Sequence, residues 1–373
     1  MSSRIAKLRE EVRQRRKERA RKPTTIALDA MGTDHGPEEL LRGAFDAINL
    51  IPTLTVIATG PKDRLHSILK HHGWAHERIQ IENATQVVEM KESPKDSLRK
   101  RDSSVAVAAK LVKEGRAAGM VSPGNTGATM AVAMFQWRTL PGISRPAIAA
   151  FIPHPKHPCI FLDAGANVDC RSNHMFHFGI MGAVYSRYMF HCRNPRVGLL
   201  SVGEEDSKGN ELVFETQELF RDSTLNFRGN AEGRDLFKGQ FDVIVCDGFV
   251  GNVMLKFGEA LVEFIFEHLK SEIQNSVVSQ LGALAMMPVF RNFKKTVDYS
   301  EYGGAPLLGL NGNCIICHGS SKAKAITNAL RTADDLVGAR VNQHITELVE
   351  KNAHCNPSKM GRKDDPPAQG GHK

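Results

Sequence analysis

No run of apolar residues in this 373-residue sequence approaches the roughly 20 that a membrane-spanning helix needs, and no apolar segment follows the basic N-terminus as a secretory signal requires. The chain therefore reads as neither membrane-spanning nor exported. Cysteine is sparse: seven scattered residues do not make the dense disulfide framework of a small secreted fold, which points to a reducing, cytoplasmic setting. The patterns GxxxxGK[ST] and GxGxxG are both missing, which argues against a P-loop nucleotide site and a standard dinucleotide site. Excess positive charge is missing from the body of the chain. The net charge is +8, but residues 1 to 22 carry ten Lys/Arg against three Glu, and residues 351 to 373 carry five against two Asp. About −2 is left for everything between, so no nucleic-acid partner is expected. The N-terminal run "RIAKLREEVRQRRKERARK" has Ile5, Leu8 and Val12 on one side of a weak helix that could touch RNA or lipid. Both tails, 1–22 and 351–373, nevertheless have the composition of solvated, disordered segments.

What is present is a core and a repeat. With 41% hydrophobic residues the chain can bury a large interior, as one large domain or two ordinary ones. The stretch "IALDAMGTDHGPEELLRGAFDAI" (26–48) runs from apolar strand through polar turn to a helix spaced at Leu40, Leu41, Ala44, Phe45 and Ile48. The same order recurs from 54, 120, 159, 196, 241 and 314. Alternating β and α elements with near-continuous apolar strands predict an α/β fold, a mostly parallel sheet covered by helices on both faces. We read 23–350 as one such domain, with a helical excursion at about 270–297.

In such a sheet the turns after the strands emerge at the carboxyl edge, where ligands bind. The candidates are Asp29, Asp34 and His35; Ser122, Asn125 and Thr126; Asp163 and Asn167; Glu204, Glu205 and Lys208; Asp247, Asn252 and Lys256; and His318, Ser320 and Ser321. Each residue type is also an ordinary turn or cap former, so it is six such turns together, expected to line one cleft, that point to a site. "SPGNTGAT" (122–129) sets Gly124, Asn125, Thr126 and Gly127 at a helix start, where backbone N–H groups can hold phosphate, with Lys100 of "SLRKRDSS" to assist. Two motifs are discounted. "CIICH" (314–318) has haem-attachment spacing but reads as a buried strand, and "HPKHPC" (154–159) has metal-like spacing but reads as an exposed loop.

The region 252–297 differs. Val253, Phe257, Leu261, Phe264 and Ile265 form one helical stripe, followed by Val277, Leu281, Leu284 and Met287 among Arg291, Lys294 and Lys295. Core packing is one reading; a dimer interface, an acyl-chain groove or a membrane surface are the others.

Taken in order, "LDAMGTDHGPE", "SPGNTGATMA", "GISRPAIAAFIP", "LDAGANVDC", "EGRDLFKGQFDVIVCDGFVGNVMLK", "YSEYGGAPLLGLNG" and "CHGSSKAKAITNA" resemble the bacterial phosphate acyltransferases of phospholipid synthesis over about 24–335. The resemblance implies a Rossmann-like α/β/α sandwich like that of phosphotransacetylases. It also implies acyl transfer from acyl-acyl carrier protein to inorganic phosphate by a cytosolic homodimer associating reversibly with the membrane. The product would be handed to a membrane glycerol-3-phosphate acyltransferase. Thr33 stands where the family has Gly, Pro123 where a small residue is usual, and His177 where Gln is common, so His177 is not taken as the base.

Transfer of an acyl group from a thioester to phosphate needs no Ser or Cys acyl-enzyme, because phosphate near neutral pH is already nucleophilic and the thioester carbonyl electrophilic; no cofactor or metal ligand is assigned. Placement and charge stabilisation should dominate. Asn125 and Thr126 with neighbouring N–H groups are assigned to phosphate. Lys256, Asn252 and His318 are assigned to polarising the carbonyl or protonating the leaving thiolate, and Asp29 or Asp163 to orienting them. A short-chain phosphate acetyl- or butyryltransferase using coenzyme A is the competing enzyme, distinguished by having no need for the apolar 252–297 stretch. A lipid- or RNA-binding protein acting through its tails is the competing reading of another class.

Overall fold

The computed structural model describes residues 22–154, 158–297 and 303–355. Residues 1–21 and 356–373 of the tails, and His157 of "HPKHPC", lie outside the described residues. The C-terminal segment read as a tail from 351 is ordered as far as Cys355. Asn352 is buried and its amide bonds Thr224 and the Leu348 carbonyl, contacts that composition alone does not reveal.

The chain forms two compact units. The first begins with β1 (Thr24–Asp29), α1 (Pro37–Leu50), β2 (Leu54–Gly60), α2 (Lys62–His71), β3 (Ile79–Asn83), α3 (Pro94–Ser97), α4 (Ser104–Lys113), β4 (Gly119–Ser122) and α5 (Thr126–Trp137). The second comprises β5 (Ala147–Ile148), β6 (Ala150–Ile152), β7 (Cys159–Leu162), α6 (Ser172–Met189), β8 (Arg196–Leu200), α7 (Glu211–Asp222), β9 (Asn226–Ala231), β10 (Val243–Val245), α8 (Gly248–Gln274), α9 (Val277–Val297) and β11 (Ala305–Leu308). β12 (Asn313–Ile316) and α10 (Ala323–Gly338) then complete the first unit, and α11 (Val341–Lys351) belongs to the second.

In the first unit β3-β2-β1-β4-β12 run parallel throughout. β1 and β4 are central and apolar on both faces, as strands covered on both sides must be, and α1 buries the Leu40, Leu41, Ala44 and Ile48 stripe. The C-terminal end of α1 is tied down by Arg78, whose Nη1 donates to the carbonyls of Ile48, Ile51, Pro52 and Leu54. The second unit has its own sheet, β6-β7-β10-β8-β9, parallel except for the β6 edge, and a short antiparallel β11–β5 pair.

The α/β architecture with mostly parallel strands is thus as the repeat implies. The single sheet is not: the repeat units are shared between two sheets. Periodicity tells that a strand is covered on both faces but not which strand lies beside it, so the partition is invisible to it.

α8 and α9 form a helical pair in which the Phe266 and Phe293 rings lie 5.8 Å apart. In α8 only Gly248 and Gly251 are buried. Val253, Phe257, Phe264, Val277, Leu281, Leu284, Val289 and Phe293 are all at least half exposed. These stripes are therefore not core within the chain. Among the described residues, no helix is long and apolar enough to cross a membrane.

Candidate active site

The six polar turns divide equally. Those at 29–35, 122–129 and 318–321 belong to the first unit, and those at 163–167, 204–208 and 247–256 to the second.

In the first unit the anchor is Asp29, 3% exposed at the end of β1. The Ser122 hydroxyl donates to its Oδ2 at 2.8 Å and the Met31 N–H to its Oδ1 at 3.2 Å. Burial pushes the Asp29 carboxyl above its ordinary pKa, against the pull of the Ser104 and Ser122 hydroxyls and the Met31 N–H. Ser122 also lies 3.1 Å from the Thr129 hydroxyl and takes the Gly124 N–H, so β1, the 122–125 turn and α5 are locked together. A Cβ on Gly32 would stand 2.7 Å from the Gly124 backbone; the two glycines let these turns touch.

Asn125 is the N-cap of α5, its Oδ1 accepting from Ala128 N at 3.0 Å. Its Nδ2 donates to the carbonyls of Met90 and Glu92, both at 2.9 Å. The side chain expected to hold phosphate is instead a cap and a strap for the 90–92 loop. The N–H groups of Thr126 and Gly127 open the helix and, as first-turn donors, have no intrahelical acceptor. Lys100 is likewise committed, ion-paired with Glu92 and donating to the Val87 carbonyl at 2.8 Å. Lys100 holds the Glu92 carboxyl below its usual range. Glu92, which pairs Lys100, carried no signal in the sequence because it lies eight residues upstream in an irregular loop.

The 318–321 turn is stitched to the first: the Gly319 carbonyl accepts from Thr33 Oγ1 at 2.8 Å and from Asp34 N at 3.0 Å. His35 beside it is exposed, its N–H on Thr33 Oγ1. His318 is exposed, with Nδ1 2.7 Å from Ser320 Oγ. Ser321 is 3% exposed at the start of α10, and its hydroxyl has no hydrogen-bond partner among the described residues. The first N–H of that helix, Ala323, is taken by Glu39 at 2.8 Å. Cys314 and Cys317 are buried thiols, pushed well up by desolvation, as a core strand rather than a haem site requires.

In the second unit Asp163 is fully buried and every lone pair is engaged. Its Oδ1 accepts from the N–H groups of Ile148, Gly165 and Ala166 at 3.0 to 3.2 Å, and its Oδ2 from the Asn167 N–H and Nδ2 at 2.7 and 2.8 Å. Burial raises its pKa while these donors oppose the rise. Asp163 and Asn167 therefore shape the "DAGAN" loop. The start of α8 sits directly on that loop: a Cβ on Gly248 would lie 2.5 Å from the Asn167 carbonyl oxygen. Asp247 caps α8 through Val250 N at 2.9 Å. Asn252 is exposed with no hydrogen-bond partner among the described residues, packed near Gly165, and Lys256 follows one turn later in an exposed pair with Glu259 at 2.8 Å. Glu205 and Lys208 belong to a loop pinned by Asn230, whose Nδ2 donates to both carbonyls, so their backbones rather than their side chains are engaged.

Sequence reasoning passed over Arg145 and Arg171. Both are exposed, neither makes an ion pair among the described residues, and both depress the His174 pKa, after burial. Asn167 Nδ2 also donates at 2.7 Å to the carbonyl of Pro146, the residue after Arg145. One helical turn from His174, His177 is buried and its pKa is pushed down to about 4 by desolvation. A base whose folded pKa lies below its unfolded value of about 6.5 makes the unfolded state bind more protons between those values. Stability is therefore lost as pH falls from 6.5 to 4, by about 3 kcal/mol from this residue. His177→Gln should flatten that part of the denaturation-versus-pH curve; an unchanged slope would contradict a neutral buried ring. Among the described residues no group of three or more His, Cys, Asp or Glu side chains could hold a metal ion.

A family model described as "Fatty acid synthesis protein" matches residues 24–344. A phosphate acyltransferase of Trichlorobacter lovleyi is 49% identical over 328 residues, covering 88% of this chain and 95% of its own. Phosphate acyltransferases of Syntrophotalea carbinolica and Heliobacterium modesticaldum are each 48% identical, covering 86% and 87% of this chain and 92% and 98% of theirs. Among solved structures a phosphotransacetylase from Streptococcus pyogenes superposes with a TM-score of 0.59 at 19% identity, covering 84% of this chain and 93% of its own. A branched-chain phosphotransacylase from Enterococcus faecalis gives 0.53 at 13%, covering 84% and 99%. At these identities the solved structures speak for the fold alone.

Proposed function

The chain belongs to the phosphate acyltransferase family and is an acyltransferase that moves an acyl group to phosphate; from that premise we propose that the acyl donor is a long-chain acyl-acyl carrier protein. Phosphate oxygen attacks the thioester carbonyl, the C–S bond breaks, and acyl phosphate and the free carrier thiol leave, the thiolate taking one proton. The observation that carries the long-chain reading is the exposed apolar surface of α8 and α9, for which a two-carbon acyl group has no use. The acyl phosphate so formed serves phosphatidic acid synthesis, passing to a membrane glycerol-3-phosphate acyltransferase. The enzyme works as a cytoplasmic homodimer, peripherally and reversibly membrane-bound. Held at the start of α5 by the Thr126 and Gly127 N–H groups and the Thr126 hydroxyl, phosphate meets donors with no other partner among the described residues. His318 supplies the thiolate proton, and Asp29 fixes the turns from beneath.

Because Asn125 is a cap, Asn125→Ala is expected to cost about 1 kcal/mol of stability and to loosen the 90–92 loop. Thr126→Ala is expected to raise the phosphate KM several-fold with the far-UV spectrum unchanged. Steady-state kinetics and urea denaturation on both variants separate the two roles. An unaltered phosphate KM in Thr126→Ala would remove the α5 start from the site.

A further inference from the structure

The second unit contains a pocket of about 230 Å³ walled by Pro141, Gly142, Phe176, Val349 and Ala353, with His177 in its lining. None of the residues assigned above to phosphate, to the acyl group or to the apolar helical pair takes part in it.

His177 is 3% exposed. Its Nδ1 accepts the Ser144 N–H at 3.4 Å, so the proton of the neutral ring is on Nε2, which has no partner among the described residues. Burial keeps the ring uncharged, with a pKa near 4. This nitrogen is not sealed from solvent: the residue lines the cavity, and an acceptor can reach the N–H from there. The other polar groups of the lining do not compete for it. The Asn352 amide is spent on Thr224 and Leu348, and Glu350 is an exposed carboxylate.

We propose that this pocket binds a small uncharged molecule whose carbonyl oxygen, amide or ester, accepts from His177 Nε2 while a short apolar group packs on Phe176, Val349 and Ala353. The ring offers a donor and not a charge, which suits a neutral carbonyl. Glu350 repels a carboxylate. A volume below the roughly 300 Å³ at which pockets for drug-sized ligands begin limits the apolar part to a few carbons. The site does not depend on the acyl-transfer reading, and its test uses no turnover.

The probe is N-butylacetamide, titrated into the full chain with ligand-observed NMR, with pentanoate as the anionic comparison. N-butylacetamide should bind saturably and pentanoate at least tenfold more weakly. His177→Phe keeps the ring and removes the donor, and should weaken binding at least tenfold. His177→Gln restores an N–H donor and should bind within about threefold of the parent. Ala353→Leu, at a half-buried position, fills the pocket and should abolish binding. In the ¹⁵N-labelled parent the His177 Nε2–H resonance should shift on saturation, a readout that stands even if a His177 variant fails to fold. The proposal is overturned by non-saturable binding to the parent, by undiminished binding in Ala353→Leu, or by a His177 Nε2–H signal indifferent to the probe.

Discussion

Gly251→Ala is expected to destabilise the protein by on the order of 3 kcal/mol, the upper range for an overpacked site. A Cβ at Gly251 would fall inside the van der Waals shell of the Asp163 carbonyl oxygen. That oxygen cannot yield, because the Asp163 carboxylate is held by four backbone N–H groups and the Asn167 amide, and the Asp163 N–H by the Cys246 carbonyl. Gly258 lies seven residues further along the same helix, and a Cβ there would meet nothing within 4 Å. Gly258→Ala should therefore gain roughly 0.5 to 1 kcal/mol, the ordinary helix preference for alanine. Guanidinium denaturation of the pair reads both signs. Equal effects would mean that the start of α8 is not seated on the "DAGAN" loop.

The second large effect concerns the membrane. An acyl phosphate released into water exposes its chain at roughly 0.8 kcal/mol per methylene, which favours catalysis beside a bilayer. Leu281 and Leu284 are 66% and 69% exposed, and Arg291 on the same helix is exposed. Leu281→Glu with Leu284→Glu should abolish sedimentation with anionic liposomes while sparing turnover of the soluble acyl donor. Because the basic N-terminal segment could bind the same lipids, both proteins are compared without residues 1–22. The exposure of the two leucines makes unfolding an unexpected outcome. Liposome binding undiminished by the double substitution would assign the apolar pair to another role, a dimer interface first.

The α/β class was legible because buried parallel strands write themselves as apolar runs, "TTIALD" and "CIFL" among them, each followed by a polar turn and a 3.6-residue stripe. Asp29 and Ser122 were legible as polar residues at strand ends, and Ser321 as one at a helix start. The duties of Asn125, Lys100 and Asp163 were not. Whether an amide or ammonium is free depends on acceptors far away in sequence, such as the Met90 carbonyl and Glu92. Asp163 reads identically whether it is a base or, as here, the hub of a loop. The apolar stripes of α8 and α9 were legible as stripes, but their exposure was not, since an amphipathic pattern does not name what covers it. Arg145, although inside "GISRPAIAAFIP", and Arg171 stayed hidden because neither holds a periodic position that separates a site arginine from a solvated one.

The central claim is tested by one reaction: purified protein, palmitoyl-acyl carrier protein and ³²P-labelled phosphate, followed for labelled acyl phosphate and for free carrier thiol. Phosphate-dependent appearance of both in equal amounts, with palmitoyl-coenzyme A and acetyl-coenzyme A markedly poorer donors, is the expected result. Turnover of acetyl-coenzyme A in preference to the palmitoyl carrier protein, or thiol release without labelled acyl phosphate, would contradict it.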